Sequence, residues 1–281
     1  VIIGVLANQI NASGGEIDFL SLVAVGLLES LLHLLCCHSI YSLIMNYLLR
    51  CKGTKKFAYI KIILYFCTIL SCIMSREEKA NTYTHLPAVI ATIAVAYPLL
   101  LSAWQSQSRD FRYQIASTSL FLLGMLLMYA SSTLYHAVSS PTHKRRLRVL
   151  DHISIYVMIA GSYSPICLSV LGGWTGWGLF VFLWACVIAG VIGKLIALGK
   201  HPHLSLVLYL VMGWAALVVM VPLWQRMPHT AFWWVVAEGV FYTVGAYFFK
   251  HDEEHAYYHA IWHIFIILGS LSHTIATFMI L

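Results

Sequence analysis

Two short stretches carry the residues best suited to chemistry. Ser132-Thr-Leu-Tyr-His136 and His259-Ala-Ile-Trp-His263 each place two polar side chains four residues apart, and Asp151 stands between the two stretches. On a helix this spacing stacks both members of a pair on one face, with Cβ atoms about 5–6 Å apart. His259 and His263 can therefore reach one metal ion at Zn–N distances of roughly 2.0–2.1 Å. A third imidazole with the fourth position left open describes a catalytic zinc site rather than a closed structural one. A carboxylate one water away would orient that water and take its proton, and Asp151 is the candidate. His259-Ala-Ile-Trp-His263 lacks the Glu of H-E-x-x-H, so the pattern is not that of a zincin protease.

The elements that must position these groups are membrane spans. Of the 281 residues, 60% are hydrophobic and only 10% charged, against about 25% charged in a soluble domain. The expected class is an all-α polytopic membrane protein. From Leu86 onward, apolar segments of helix length fall at about 86–104, 115–137, 150–171, 176–198, 204–224, 230–249 and 258–280, a seven-helix bundle. Polar, basic or Gly/Pro-rich breaks separate them, among them Gln105-Ser-Gln-Ser-Arg-Asp, Ser139-Ser-Pro-Thr-His-Lys-Arg-Arg and Leu171-Gly-Gly-Trp. The net charge of +6 arises from residues in short loops, where it sets orientation and does not mark a nucleic-acid partner. The seven Cys follow no metal spacing, and most lie in apolar runs, which makes them buried thiols and not a disulfide framework.

A seam lies at Met74. Five of the seven Cys precede it and all nine Trp follow it. Residues 17–35 and 57–73 have the length and apolarity of two further spans, but the linker Arg50-Cys-Lys-Gly-Thr-Lys-Lys56 would then lie outside, against the positive-inside tendency. That conflict favours a native start at Met74, with residues 1–73 an extension; the alternative is a divergent amino-terminal hairpin. The domain expected to carry function is 74–281.

Loop charge gives the direction. Nine Lys/Arg fall on the side of Ser75 (Arg76, Lys79, Lys144, Arg145, Arg146, Arg148, Lys194, Lys200 and Lys250) and three on the other (Arg109, Arg112 and Arg226). Ser75 is thus expected in the cytoplasm and Leu281 outside. His136 then ends the second span, Asp151 starts the third, and His259 and His263 start the seventh, all at a similar depth near the inner face. A His pair at this spacing is common by chance in a soluble helix; within a span, ionisable residues are rare and mark function. His201, His203 and His229 belong to loops, and His143, His251 and His255 to the headgroup region. His273 reads as a hydrogen-bonding group in the core, and Glu238 as a buried acid with no partner visible in the sequence. Pro98, Pro165 and Pro222 are expected to kink or end their helices.

Ser132-Thr-Leu-Tyr-His136, Leu150-Asp151-His152 leading to Ile159-Ala-Gly-Ser-Tyr-Ser-Pro165, and His259-Ala-Ile-Trp-His263 resemble the hemolysin III family, the bacterial branch of the progestin and adiponectin receptor superfamily. Asn81-Thr-Tyr-Thr-His85 resembles the family's opening. The resemblance implies seven helices with the amino end in the cytoplasm of a bacterial inner membrane. It also implies zinc on His136, His259 and His263, Asp151 contacting it through water, and Ser132 lining the site. Zinc lowers the pKa of bound water towards about 7. The expected activity is hydrolysis of a lipid amide or ester; related receptors resemble the alkaline ceramidases in these residues, which points to ceramide-like amides and leaves the substrate open. Two other functions compete with it: cytolysis, after the family's name, although seven apolar spans forbid a soluble state, and a sensor in which zinc only staples helices. Membrane lipids are the expected partners.

Overall fold

The computed structural model describes residues 74–106, 111–197 and 202–281. Residues 1–73, and with them the two further spans expected there, lie outside the described residues, as do the side chains of His201 and His203. Among the described residues the secondary structure is helical throughout: α1 (Arg76–Gln105), α2 (Phe111–Ala137), α3 (Pro141–Pro165), α4 (Gly173–Ala197), α5 (Pro202–Gly213), α6 (Met220–Arg226), α7 (His229–Lys250) and α8 (Tyr258–Ile280). They make seven spans long and apolar enough to cross a membrane, α5 and α6 sharing the fifth. The outer surface is apolar where lipid would lie: Val218 is 87% exposed, Ile196 75% and Tyr97 75%. An apolar surface of this extent is what contact with lipid leaves bare.

Two helices start earlier than their apolar runs. The α1 helix begins at Arg76, ten residues before 86, because Ser75 caps it: the Ser75 hydroxyl accepts the Glu78 backbone N–H at 3.1 Å. The α3 helix begins at Pro141, nine residues before 150, with proline in the first turn where its missing N–H costs nothing. Hydropathy registers only the lipid-facing length, so these polar first turns fall outside it. Both extensions lie at one end of the bundle, and both matter to the site.

The spans depart from α geometry in two places. After Pro165 the third span continues as a π-helical turn, Ile166–Leu171. The fifth span breaks after Gly213 into a 3-10 segment, Ala215–Val219, before α6 resumes at Met220. Pro222 lies in the first turn of α6 and cannot donate to the Val218 carbonyl. Tyr163 from α3 fills the break: its hydroxyl donates to the Gly213 carbonyl at 2.5 Å and accepts the Ala216 N–H at 2.9 Å. An irregular backbone survives at membrane depth only when a neighbour satisfies it in this way.

The packing of α2 on α3 fixes His136 relative to Asp151. At Gly161 a Cβ would meet the Leu120 carbonyl oxygen at 2.8 Å, and at Gly124 one would meet the Met158 Cα at 3.1 Å. Small residues here allow backbone-to-backbone contact, the usual means of tight association between helices in lipid. Phe121, Met125, Met128, Met158 and Trp262 fill the adjoining core.

Candidate metal centre

The site lies where α1, α3 and α8 begin and α2 ends. His136 occupies the last turn of α2, and His259 and His263 occupy the first turns of α8. Each offers a ligand atom, and these atoms all lie within 4.8 Å of one another. The ring centroids of His136 stand 4.9 Å from His259 and 5.3 Å from His263, and those of His259 and His263 are 4.7 Å apart. His136 and His263 are buried, and His259 is half-buried.

The hydrogen bonds settle which nitrogen each ring can offer. His136 Nδ1 lies 2.6 Å from Glu78 Oε2, and His259 Nδ1 lies 2.7 Å from Asp252 Oδ2. A carboxylate oxygen only accepts, so each Nδ1 carries the proton and donates it. His263 Nδ1 lies 2.9 Å from Thr84 Oγ1 and 3.2 Å from the Asn81 carbonyl oxygen, to which the Thr84 hydroxyl also donates. All three rings are thus braced through Nδ1, and Nε2 is the atom each has left for an ion. His136 Nε2 is buried with no protein partner. An oxygen acceptor behind each imidazole is the arrangement that orients metal-ligating histidines and raises their basicity. An orphaned ring nitrogen within an all-imidazole donor set fits a first-row transition ion better than a hard cation. The three histidines could hold a metal ion of that kind.

Glu78 ties three elements together. Its second carboxylate oxygen accepts from Lys144 Nζ at 2.5 Å, joining the first turns of α1 and α3 to the end of α2. His85 stacks face to face on His263, with ring centroids 3.6 Å apart and planes 17° apart. Asp151 and Ser132 line the chamber beside the histidines. Ser132 is buried, and its hydroxyl interacts with the Asp151 carboxylate. Asp151 is not among the mutually close ligand atoms. Glu78, Asp252, Thr84 and the stacked His85 were missed as site residues in the sequence. Ser75-Arg-Glu-Glu78 carried a usable signal, being a capping-box pattern that starts a helix and so brings Glu78 to its first turn.

The chamber has a volume of ≈ 560 Å³ and runs from the histidines into the middle of the bundle, past Met158, Ile159, Tyr163 and Trp214. At its far end are Glu238 and His273. The acid that lacked a visible partner in the sequence has one: His273 Nδ1 donates to Glu238 Oε2 at 2.6 Å. His273 is a buried hydrogen-bonding group, as expected from its place in the run. His229, by contrast, is not a free loop residue; it opens α7 and stacks on Trp224 with ring centroids 4.0 Å apart.

Fold and site together define a multi-pass helical membrane protein with three histidines gathered at one end of the bundle, able to hold a metal ion. The chain belongs to the haemolysin-III related family, whose profile matches residues 74–274. It is 35% identical over 196 residues to the hemolysin-3 homolog of Bacillus subtilis (strain 168), covering 69% of this chain and 90% of that protein. Against hemolysin-3 of Bacillus cereus it is 33% identical over 195 residues, 69% of this chain and 87% of that one. The human monocyte to macrophage differentiation factor is more distant, 27% identical over 213 residues, covering 70% of this chain and 81% of the relative. The family that the motifs resembled is the family to which the chain belongs.

Proposed function

We propose that this protein is a zinc-dependent hydrolase of a lipid amide or ester, with His136, His259 and His263 as the metal ligands. The observation that carries the reading is the set of three Nδ1-braced imidazoles at the head of a ≈ 560 Å³ chamber with apolar walls. Such a chamber suits an acyl chain, and a polar group at its head would lie beside the histidines. A zinc ion held there supplies Lewis acidity toward a carbonyl oxygen and makes water a better nucleophile.

The chain's own groups do the rest. Asp151 accepts a proton from the attacking water and returns it to the leaving amine or alcohol as the acyl–nitrogen or acyl–oxygen bond breaks. Ser132 donates its hydroxyl to the Asp151 carboxylate and holds it in place, and its oxygen stays free to accept from the attacking water. Glu78, Asp252 and Thr84 fix the three rings. The Ser75 end of the bundle faces the cytoplasm of a bacterial inner membrane, in keeping with the excess of Lys/Arg on that side.

The test is metal analysis of the purified protein together with lipidomics of cells carrying it or His263→Ala. The reading expects about one zinc per chain, and an amide or ester lipid that accumulates only with the variant. Purified protein without metal, or an unchanged lipid profile, overturns it. Two Bacillus relatives bear the name hemolysin-3, and lysis of erythrocytes by the purified protein, undiminished in His263→Ala, would favour a cytolysin instead.

A further inference from the structure

The far end of the chamber contains polar atoms that neither the fold nor the metal centre partners. Glu238 and Tyr242 lie four residues apart on α7, and Gly269 and His273 lie four apart on α8. Each pair shares a helical face. The two faces meet: Glu238 accepts from His273, and the Tyr242 ring lies where a Cβ on Gly269 would come within 2.1 Å of it. Glu238, Tyr242 and His273 all line the chamber. The Tyr242 hydroxyl and His273 Nε2 are both buried without any hydrogen-bond partner. His273 is 1% exposed and Glu238 7%, so bulk water does not serve them.

Two orphaned polar atoms at membrane depth are expensive. Each costs about 1–3 kcal/mol when left unmade, and lipid offers them nothing. A polar group on whatever fills the chamber resolves both. Gly269 and His273 lie six and ten residues beyond His263, hence ~9 Å and ~15 Å along α8 from the metal ligand. That is up to about half of the ~30 Å hydrocarbon core, where an ordinary acyl chain carries no polar atom.

We propose that Glu238, Tyr242 and His273 form a second polar subsite, which selects acyl chains bearing a mid-chain hydroxyl. This names the substrate class of the proposed hydrolase and rests on that reading for the chemistry, but not for the binding. The ligand's hydroxyl donates to His273 Nε2 and accepts from the Tyr242 hydroxyl. Glu238 holds the His273 proton on Nδ1 and so keeps Nε2 free to accept.

The probes are ricinoleoyl ethanolamide and oleoyl ethanolamide, which differ by one mid-chain hydroxyl. Their affinities are measured on the full chain in nanodiscs, without turnover, for the unaltered protein and for Tyr242→Phe and His273→Gln. The Tyr242 hydroxyl has no protein partner, so Tyr242→Phe takes no hydrogen bond from the fold and remains informative if His273→Gln fails to fold. The expected result is roughly three- to tenfold tighter binding of the hydroxylated probe, the size of one net hydrogen bond, with the preference lost in Tyr242→Phe. Equal affinities in the unaltered protein, no binding of either probe, or a preference that survives Tyr242→Phe overturns the proposal. Preferential binding without hydrolysis of either probe would leave the subsite standing and remove the hydrolase.

Discussion

Glu78 touches two side chains from other helices, and what it does at the site follows from the reach of its carboxylate. One oxygen fixes the His136 ring and the other neutralises Lys144, which would otherwise sit uncompensated beside the site. Glu78→Ala removes the brace but no ligand. Its expected effect is a 10–100-fold loss of metal affinity, measured by competition with a chelator, while the bundle still inserts. Asp151→Asn separates binding from chemistry. An amide cannot take a proton from water, so hydrolysis should fall by about 10²–10⁴-fold, with metal content and thermal stability near those of the parent. Complete loss of metal in that variant would instead make Asp151 a direct ligand. The three histidines were legible because i,i+4 spacing, as in Ser132/His136 and His259/His263, survives in a linear string. Their braces were not: Glu78 lies 58 positions from His136, and Thr84 lies 179 from His263. No local pattern links residues so far apart; only the packing of α1, antiparallel to α2 and parallel to α8, brings them together.

At the scale of elements, the sequence located each of the seven spans among the described residues but misjudged what happens inside and at the ends of some. The run 204–224 reads as one helix because it is apolar throughout and its proline comes late. The break after Gly213 depends on a hydroxyl from another helix, which hydropathy cannot register. Tyr163 bridges the Gly213 carbonyl and the Ala216 N–H. Tyr163→Phe keeps the ring's packing and removes both bonds, exposing two backbone groups to a medium that cannot hydrogen-bond them. A loss of about 1–3 kcal/mol is expected, read as a lower midpoint of thermal unfolding in detergent. An unchanged midpoint would mean that the break is satisfied without Tyr163. Likewise, α1 and α3 begin a full two turns or more before their lipid-facing portions. Those polar extensions carry Glu78 and Lys144, so the site is built in part from helix that hydropathy leaves out.

For the molecule as a whole, the direction in which the bundle faces decides which leaflet its site serves. The nine basic residues assigned to the Ser75 side are not all free to respond to the membrane, since Lys144 is held by Glu78 and Lys194 is buried against His152 at 3.3 Å. Opposite them, Arg226 donates to the Leu171 carbonyl. With these set aside the ratio becomes seven to two, so the bias does not depend on charges already engaged inside the protein. Alkaline phosphatase, active only outside the cytoplasm, should therefore be active when fused after Leu281 and inactive when inserted in the 141–148 segment. Green fluorescent protein at the same two places should give the reverse. The histidines share the end of the bundle that holds Ser75, so this experiment also decides from which leaflet a lipid's polar group must enter. Phosphatase activity at 141–148 would turn the metal centre toward the outer face, and an acyl chain reaching Glu238 and His273 would then have to come from outer-leaflet lipid.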